Sequence, residues 1–207
     1  MTSYFDQLAS SWDQNPMKVE RARATAEQCR QTALSSRASL LDIGGGTGLL
    51  SIFLKDDFKT ITIADTSSEM LRVAREKIAV AGIENIRTCL LQQDISELTG
   101  SFSAIISLMT LHHVDDLDAF LGHAADLLST RGTLMIADLY LDQDGSFHKH
   151  VGDFQGHDGF DIDQLSQKLV NAGFAVRQVK PYYKIRKTNR DGAEQDYPLF
   201  FMVAEKS

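Results

Sequence analysis

Residues 40–50 read LLDIGGGTGLL, and no other stretch constrains the fold as much. Leu40, Leu41 and Ile43, with Asp42 among them, end an apolar run of the kind that makes a buried strand. Gly44, Gly45, Gly46, Thr47 and Gly48 follow as a tight turn, and Leu49, Leu50, Ile52, Phe53 and Leu54 open a run of helical length. Strand, glycine turn and helix form the nucleoside- or phosphate-binding corner of a doubly wound α/β fold. Glycine suits the turn because it takes backbone angles that a side chain forbids, and because a ligand can then lie against the main chain. The spacing of Gly44, Gly46 and Gly48 is G-x-G-x-G. A dinucleotide site asks for G-x-G-x-x-G, and the position that would carry its last glycine is Leu49.

With an acid two residues before the first glycine, this stretch resembles motif I of the class I S-adenosylmethionine (SAM)-dependent methyltransferases, whose pattern is close to hhDhGxGxG. The resemblance implies that Asp42, Gly44, Gly45, Gly46, Thr47 and Gly48 pack against the amino-acid end of SAM, Asp42 commonly through water. It continues down the chain. Residues 60–64 (TITIA) predict a second strand ending at Asp65. Asp65 stands about 20 residues past the turn, the reach of an acid that accepts from ribose hydroxyls, although a helix-entry acid would look the same. The phrase D-x-S-x-x-M-L at 65–71 is common in the family and implies Thr66 and Met70 beside the cofactor. Ser67 or Ser68 would cap a helix running to about residue 81. A third strand over 85–91 leads to Asp94 and Ile95, which by resemblance meet the adenine; Asp94 can equally be a loop acid satisfied by backbone amides. A fourth strand over 102–108 ends at Leu108, grouped with the cofactor contacts.

Residues 109–116 (MTLHHVDD) resemble motif IV of small-molecule methyltransferases, where acceptor and methyl group meet. His112 and His113 are therefore candidate catalytic bases, since histidine titrates near neutral pH. The alternative is that they cap the next helix, over 114–129, and pack on the cofactor. The opening segment, YFDQLASSWDQNP at 4–16, resembles the aromatic lid of related enzymes, with Tyr4 and Trp12 as candidate lid or acceptor-pocket residues; otherwise its rings dock a terminus. A helix over 17–35 follows Pro16. A turn at Arg131 and Gly132 precedes a fifth strand over 132–141 carrying Asp138, which the resemblance aims at the acceptor.

Residues 142–160 have no periodicity and contain His148, His150 and His157 among Asp153 and Asp158. Acceptor contact, a metal site and plain surface residues are the three readings; without a helix-spaced histidine pair no metal is assigned, and His148 and His150 join the candidate acceptor pocket. A helix over 161–172, then strands over 174–183 and 197–204 joined by a charged connection at 184–196, match the family's ending, in which the last strand inserts antiparallel between its neighbours.

At 207 residues and 43% hydrophobic the chain is expected to be one soluble domain. A net charge of −7 argues against a nucleic-acid partner. No run approaches the roughly 20 apolar residues of a membrane span, and no basic-plus-apolar leader opens the chain. Cys29 and Cys89 have no metal or redox spacing, consistent with reduced thiols and a cytoplasmic location. The expected fold is α/β: a single Rossmann-like doubly wound domain over 1–207, with a seven-stranded, mostly parallel sheet and an antiparallel last strand. Residues 1–35 would be lid and helix, 36–141 the SAM-binding core, and 142–207 the acceptor side. The resemblance implies methyl transfer from SAM to an O, N, S or C atom of a small molecule, leaving S-adenosylhomocysteine (SAH). An NAD(P) oxidoreductase and a SAM-binding protein without transferase activity are the rivals.

Overall fold

A computed structural model of the chain describes residues 4–143, 145–148 and 156–207. Seven strands form one sheet: β1 (Ser39–Ile43), β2 (Thr60–Asp65), β3 (Ile86–Leu90), β4 (Phe102–Leu108), β5 (Leu128–Leu139), β6 (Phe174–Thr188) and β7 (Glu194–Lys206). Their order is β3-β2-β1-β4-β5-β7-β6, and β7 runs antiparallel to both of its neighbours. Six helices accompany them: α1 (Tyr4–Leu8), α2 (Pro16–Gln31), α3 (Leu49–Phe53), α4 (Ser68–Val80), α5 (Leu117–Leu127) and α6 (Ile162–Asn171).

The period-2 pattern of the strands divides the core. Leu40, Ile61, Ile63, Ala104, Ile106, Met135 and Phe201 face α2, α3 and α4. Their alternates Leu41, Ile43, Ile105, Leu134, Ile136, Phe200 and Met202 face α5 and α6. A sheet apolar on both faces must be covered on both, which is why the helices divide this way. Helix starts follow local chemistry. Asn15, Ser67, Asp116 and Asp161 each accept a backbone N–H from the first turn of α2, α4, α5 and α6.

Four sequence expectations are corrected. The helix over 17–35 ends at Gln31, and the helix over 114–129 begins only at Leu117, after a 3₁₀ turn over Leu111–His113. The fifth strand starts at Leu128, with the turn residue Arg131 (φ 58°) held as an irregularity inside it. The connection over 184–196 is mostly strand: β6 and β7 pair from Tyr183↔Leu199 out to Thr188↔Glu194. Its charges lie on the exposed ribbon, where Arg186 pairs with Asp196, and so they mimic a loop in sequence. Pro198 is tolerated within β7 because β5 ends opposite Leu199 and needs no N–H one residue further on. This extended hairpin carries a third apolar cluster beyond the carboxyl end of the sheet: Leu139, Phe147, Ile185, Tyr197 and Leu199, with Met17, Met109, Tyr182 and Tyr183 against it.

Candidate cofactor and acceptor site

The parallel strands β1, β2 and β4 end side by side, and the loops that leave them converge. Gly44, Gly46 and Gly48 all have positive φ (66°, 54° and 76°). A Cβ on Gly44 would also overlap the Thr110 side chain, so the glycine turn and the end of β4 are packed together. Gly44 N–H donates to the Ala64 carbonyl (2.7 Å), and Gly46 N–H donates to Asp65 Oδ2 (2.8 Å). Asp65 Oδ1 accepts from Ser67 N–H (2.8 Å). Burial raises the Asp65 pKa, while the backbone donors of Ser67, Gly46 and Thr66 pull it back down. A Cβ on Gly46 would make only ordinary contacts, with Met70 Sδ and Asp65 Oδ2 at 3.8 and 3.9 Å.

Asp42 is 1% exposed. Its Oδ2 accepts from the Ser51 hydroxyl (2.6 Å), and its Oδ1 has no hydrogen-bond partner among the described residues. Burial pushes its pKa up to about 7, opposed by the Ser51 bond and reinforced by Asp65. A buried carboxylate oxygen left open beside a glycine turn is suited to a cation. The other residues singled out from sequence divide. Met70 and Ile95 are buried, Leu108 is half-buried and Thr66 is exposed. Asp94 is exposed and accepts from Ser96 N–H (2.8 Å), capping a 3₁₀ turn, which is the backbone-amide arrangement weighed for it.

The amino-terminal segment lies over this corner. Asp13 Oδ1 accepts from the buried Thr47 hydroxyl (2.6 Å), and its Oδ2 pairs with Lys77 (2.5 Å). Asp6 Oδ1 accepts from the Ser67 hydroxyl (2.6 Å). Trp12 stacks edge-on with Phe5 and lies under the Lys18 ammonium, 3.0 Å from its ring centroid. Phe5 in turn meets the His113 ring edge-on, with centroids 5.3 Å apart, whereas Tyr4 is 54% exposed. Phe5 and the two aspartates are thus the residues of this segment that reach the corner most directly, and they stand at the aromatic-plus-Asp positions Phe5-Asp6 and Trp12-Asp13 of the lid pattern.

On the acceptor side, Met109 has φ 53°, uncommon for a side-chain residue, and donates its N–H to the Ala137 carbonyl (2.8 Å). This sharp exit from β4 lays Thr110 on the glycine turn and brings His112 back to β5. His112 Nδ1 lies 2.6 Å from Asp138 Oδ1, with Asp138 fully buried and also accepting from Leu139 N–H and, at 3.3 Å, from His112 N–H. A carboxylate can only accept, so Nδ1 is the donor of this bond and Nε2 is the ring's other nitrogen. The rings of His112, His113 and His148 cluster at centroid distances of 4.2, 5.1 and 6.3 Å. Loss of hydration, together with repulsion from His112 and His148, holds the His113 pKa well below the ordinary imidazole value; desolvation also lowers that of His148, whose Nδ1 is 3.3 Å from Asp158. His157 braces the motif instead, donating its backbone N–H to the His112 carbonyl (2.7 Å) with its ring on the Val114 carbonyl (2.9 Å). His150 and Asp153 lie outside the described residues. Among the described residues no group of three or more His, Cys, Asp or Glu is arranged to hold a metal ion, and no helix is long and apolar enough to cross a membrane.

This sheet order is that of class I methyltransferases, and comparison with known proteins agrees. The family model described as a methyltransferase domain matches residues 13–179, and the chain belongs to that family. It is 33% identical over 159 residues to an uncharacterised methyltransferase of Schizosaccharomyces pombe, covering 70% of this chain and 56% of that one. It is 30% identical over 126 residues to a ubiquinone biosynthesis O-methyltransferase of Xanthomonas axonopodis pv. citri, covering 60% and 50%. The chain therefore spans about half the length of these curated relatives. Among solved structures, a SAM-dependent methyltransferase from Aquifex aeolicus superposes with a TM-score of 0.71 at 17% identity, over 100% of this chain and 99% of that one.

Proposed function

We propose that this chain transfers the methyl group of SAM to a hydroxyl oxygen of a small-molecule acceptor. The observation that carries the reading is the His112–Asp138 pair, a candidate base held by a buried carboxylate, next to a glycine corner where the buried Asp42 Oδ1 has no hydrogen-bond partner among the described residues. The residues fit the cofactor. Asp42 would face its ammonium, Asp65 its ribose diol, and Gly44, Gly45, Gly46, Thr47 and Gly48 would give it a main-chain surface, with Thr66, Met70, Asp94, Ile95 and Leu108 around the nucleoside. When bound, SAM supplies a methyl already activated by its sulfonium charge. The chain's own residues do the rest. His112 Nε2 accepts the acceptor's proton as its oxygen attacks, Asp138 stabilises the imidazolium that forms, and residues 4–14 exclude water. In that transfer a C–O bond would replace the methyl's C–S bond, and the electron pair of the broken bond would leave with SAH as a neutral thioether. The O-methyltransferase relative supports a hydroxyl over N, S or C acceptors.

Calorimetric titration with SAH, with NAD(H) and NADP(H) as controls, tests the cofactor. We expect one-to-one SAH binding that is lost in Asp65→Ala. Binding of a nicotinamide cofactor in place of SAH would sink the reading. SAH binding without methylation across a panel of phenols, enols and carboxylic acids would favour a SAM-binding regulator.

A further inference from the structure

Arg21 lies on the face of α2 that meets β6, one turn after Met17 and one turn before Thr25. The buried Thr25 hydroxyl donates to the Arg21 carbonyl (2.8 Å) and is 2.8 Å from Tyr182 Oη. One turn back, Tyr183 Oη donates to the Met17 carbonyl (3.4 Å). The two contacts pin α2 to the hairpin on either side of Arg21 and put its guanidinium within electrostatic reach of Tyr182, Tyr183 and Asp138. The Arg21 Nε is enclosed and makes no hydrogen bond, and among the described residues Arg21 forms no ion pair. The carboxylate within its electrostatic reach, Asp138, is already committed to His112 and to the Leu139 amide. Arg30, Arg72 and Arg186, by contrast, all meet carboxylates at the surface. Burial also pulls the Arg21 pKa below the ordinary value, as expected of a cation without a counter-charge.

Burying one edge of a guanidinium without an anion is costly, and the half-buried Arg21 leaves its Nη donors free to meet one. We propose that Arg21 is the anion anchor of the acceptor site: the acceptor carries a carboxylate or phosphate that pairs with Arg21 while its reacting oxygen faces His112. This rests on the methyl-transfer reading above. The planar guanidinium offers paired donors that match two oxygens of either group. Met17, Met109, Tyr182 and Phe147 line the adjoining apolar cluster, so the acceptor would be a compact apolar acid.

Thermal melts of wild type, Arg21→Met and Arg21→Lys test this in a low-anion buffer and with millimolar sodium benzoate or inorganic phosphate, all with SAH present. We expect either anion to raise the wild-type melting temperature by a few degrees more than that of Arg21→Met, and Arg21→Lys to keep part of the gain. Taking the difference between proteins cancels the general salt effect. A larger differential with benzoate identifies a carboxylate and one with phosphate a phosphoryl group. Equal gains in wild type and Arg21→Met overturn the proposal, as does a lower low-anion melt in Arg21→Met with no differential gain, which would make Arg21 structural. Arg21→Gln replaces the Met variant if that fails to fold. SAH affinity, read by calorimetry on the same samples, judges the methyl-transfer reading separately: no SAH binding beside a persisting anion differential would leave Arg21 an anion site and remove the acceptor role.

Discussion

Asp42 couples the cofactor corner to pH. Its folded pKa of about 7 lies above the ordinary 3.8, so between those values the folded protein holds a proton that the unfolded chain has released. Stability should therefore fall as pH rises from about 4 to about 7 and level off above, by on the order of 4 kcal/mol from this group. Denaturant melts across that range should show the slope in wild type and a shallower one in Asp42→Asn. A ligand ammonium pairs with the ionised form alone, so SAH affinity should weaken about tenfold per unit below pH 7, with proton release on binding visible as a buffer-dependent heat. At the other end of the site, Asp138→Asn removes the charge that supports imidazolium formation on His112 while keeping the side chain's shape. It should lower kcat about a hundredfold or more with SAH affinity unchanged. If single-turnover rates in that variant match wild type, His112 is not the base. The pairing itself could not be read from sequence, because His112 and Asp138 are 26 residues apart and meet only through the parallel register of β4 with β5.

At the scale of elements, the glycine turn and the segment over it are the parts most exposed to test. Gly44→Ala must take a positive φ and displace Thr110, and should cost about 2 kcal/mol or more. Equal stability of the variant would mean that Thr110 moves aside. Asp13→Ala breaks the ties to both Thr47 and Lys77, so SAH should dissociate about tenfold faster while the sheet melts nearly unchanged. Local patterns made many elements legible beforehand. β4 was readable to the residue, because FSAIISL is rich in β-branched isoleucine, has small residues beside it and is of strand length. A serine cap at Ser67 or Ser68 was readable because a capping hydroxyl needs only a neighbour in sequence, and the structure selects Ser67. The outer hairpin was not: an exposed ribbon of alternating charges has no apolar period, and its strand character comes from pairing alone. Arg21 was hidden for a similar reason, since a charged residue in an amphipathic helix looks solvated until β6 covers it.

The whole molecule is held by two apolar layers that share one sheet, and Phe201 sits where β7 contributes to the inner one, beside Tyr182 and opposite Ala137. Phe201→Ala should cost about 3–5 kcal/mol and lower the melting temperature by roughly 10 °C, read by calorimetric scanning. A drop of only a degree or two would mean that the layer closes over the void. The position of β7 also bears on how the protein is made. It is the last of the seven strands in the chain, yet it lies between β5 and β6, with neither neighbour paired to the other. On the ribosome, residues 102–188 can therefore emerge with β5 presenting a long edge of unpaired N–H and C=O groups on an apolar strand, the edge that β7 later fills. Until residues 194–206 leave the exit tunnel, that edge is the nascent chain's point of greatest exposure to aggregation, and the place where a chaperone would be needed.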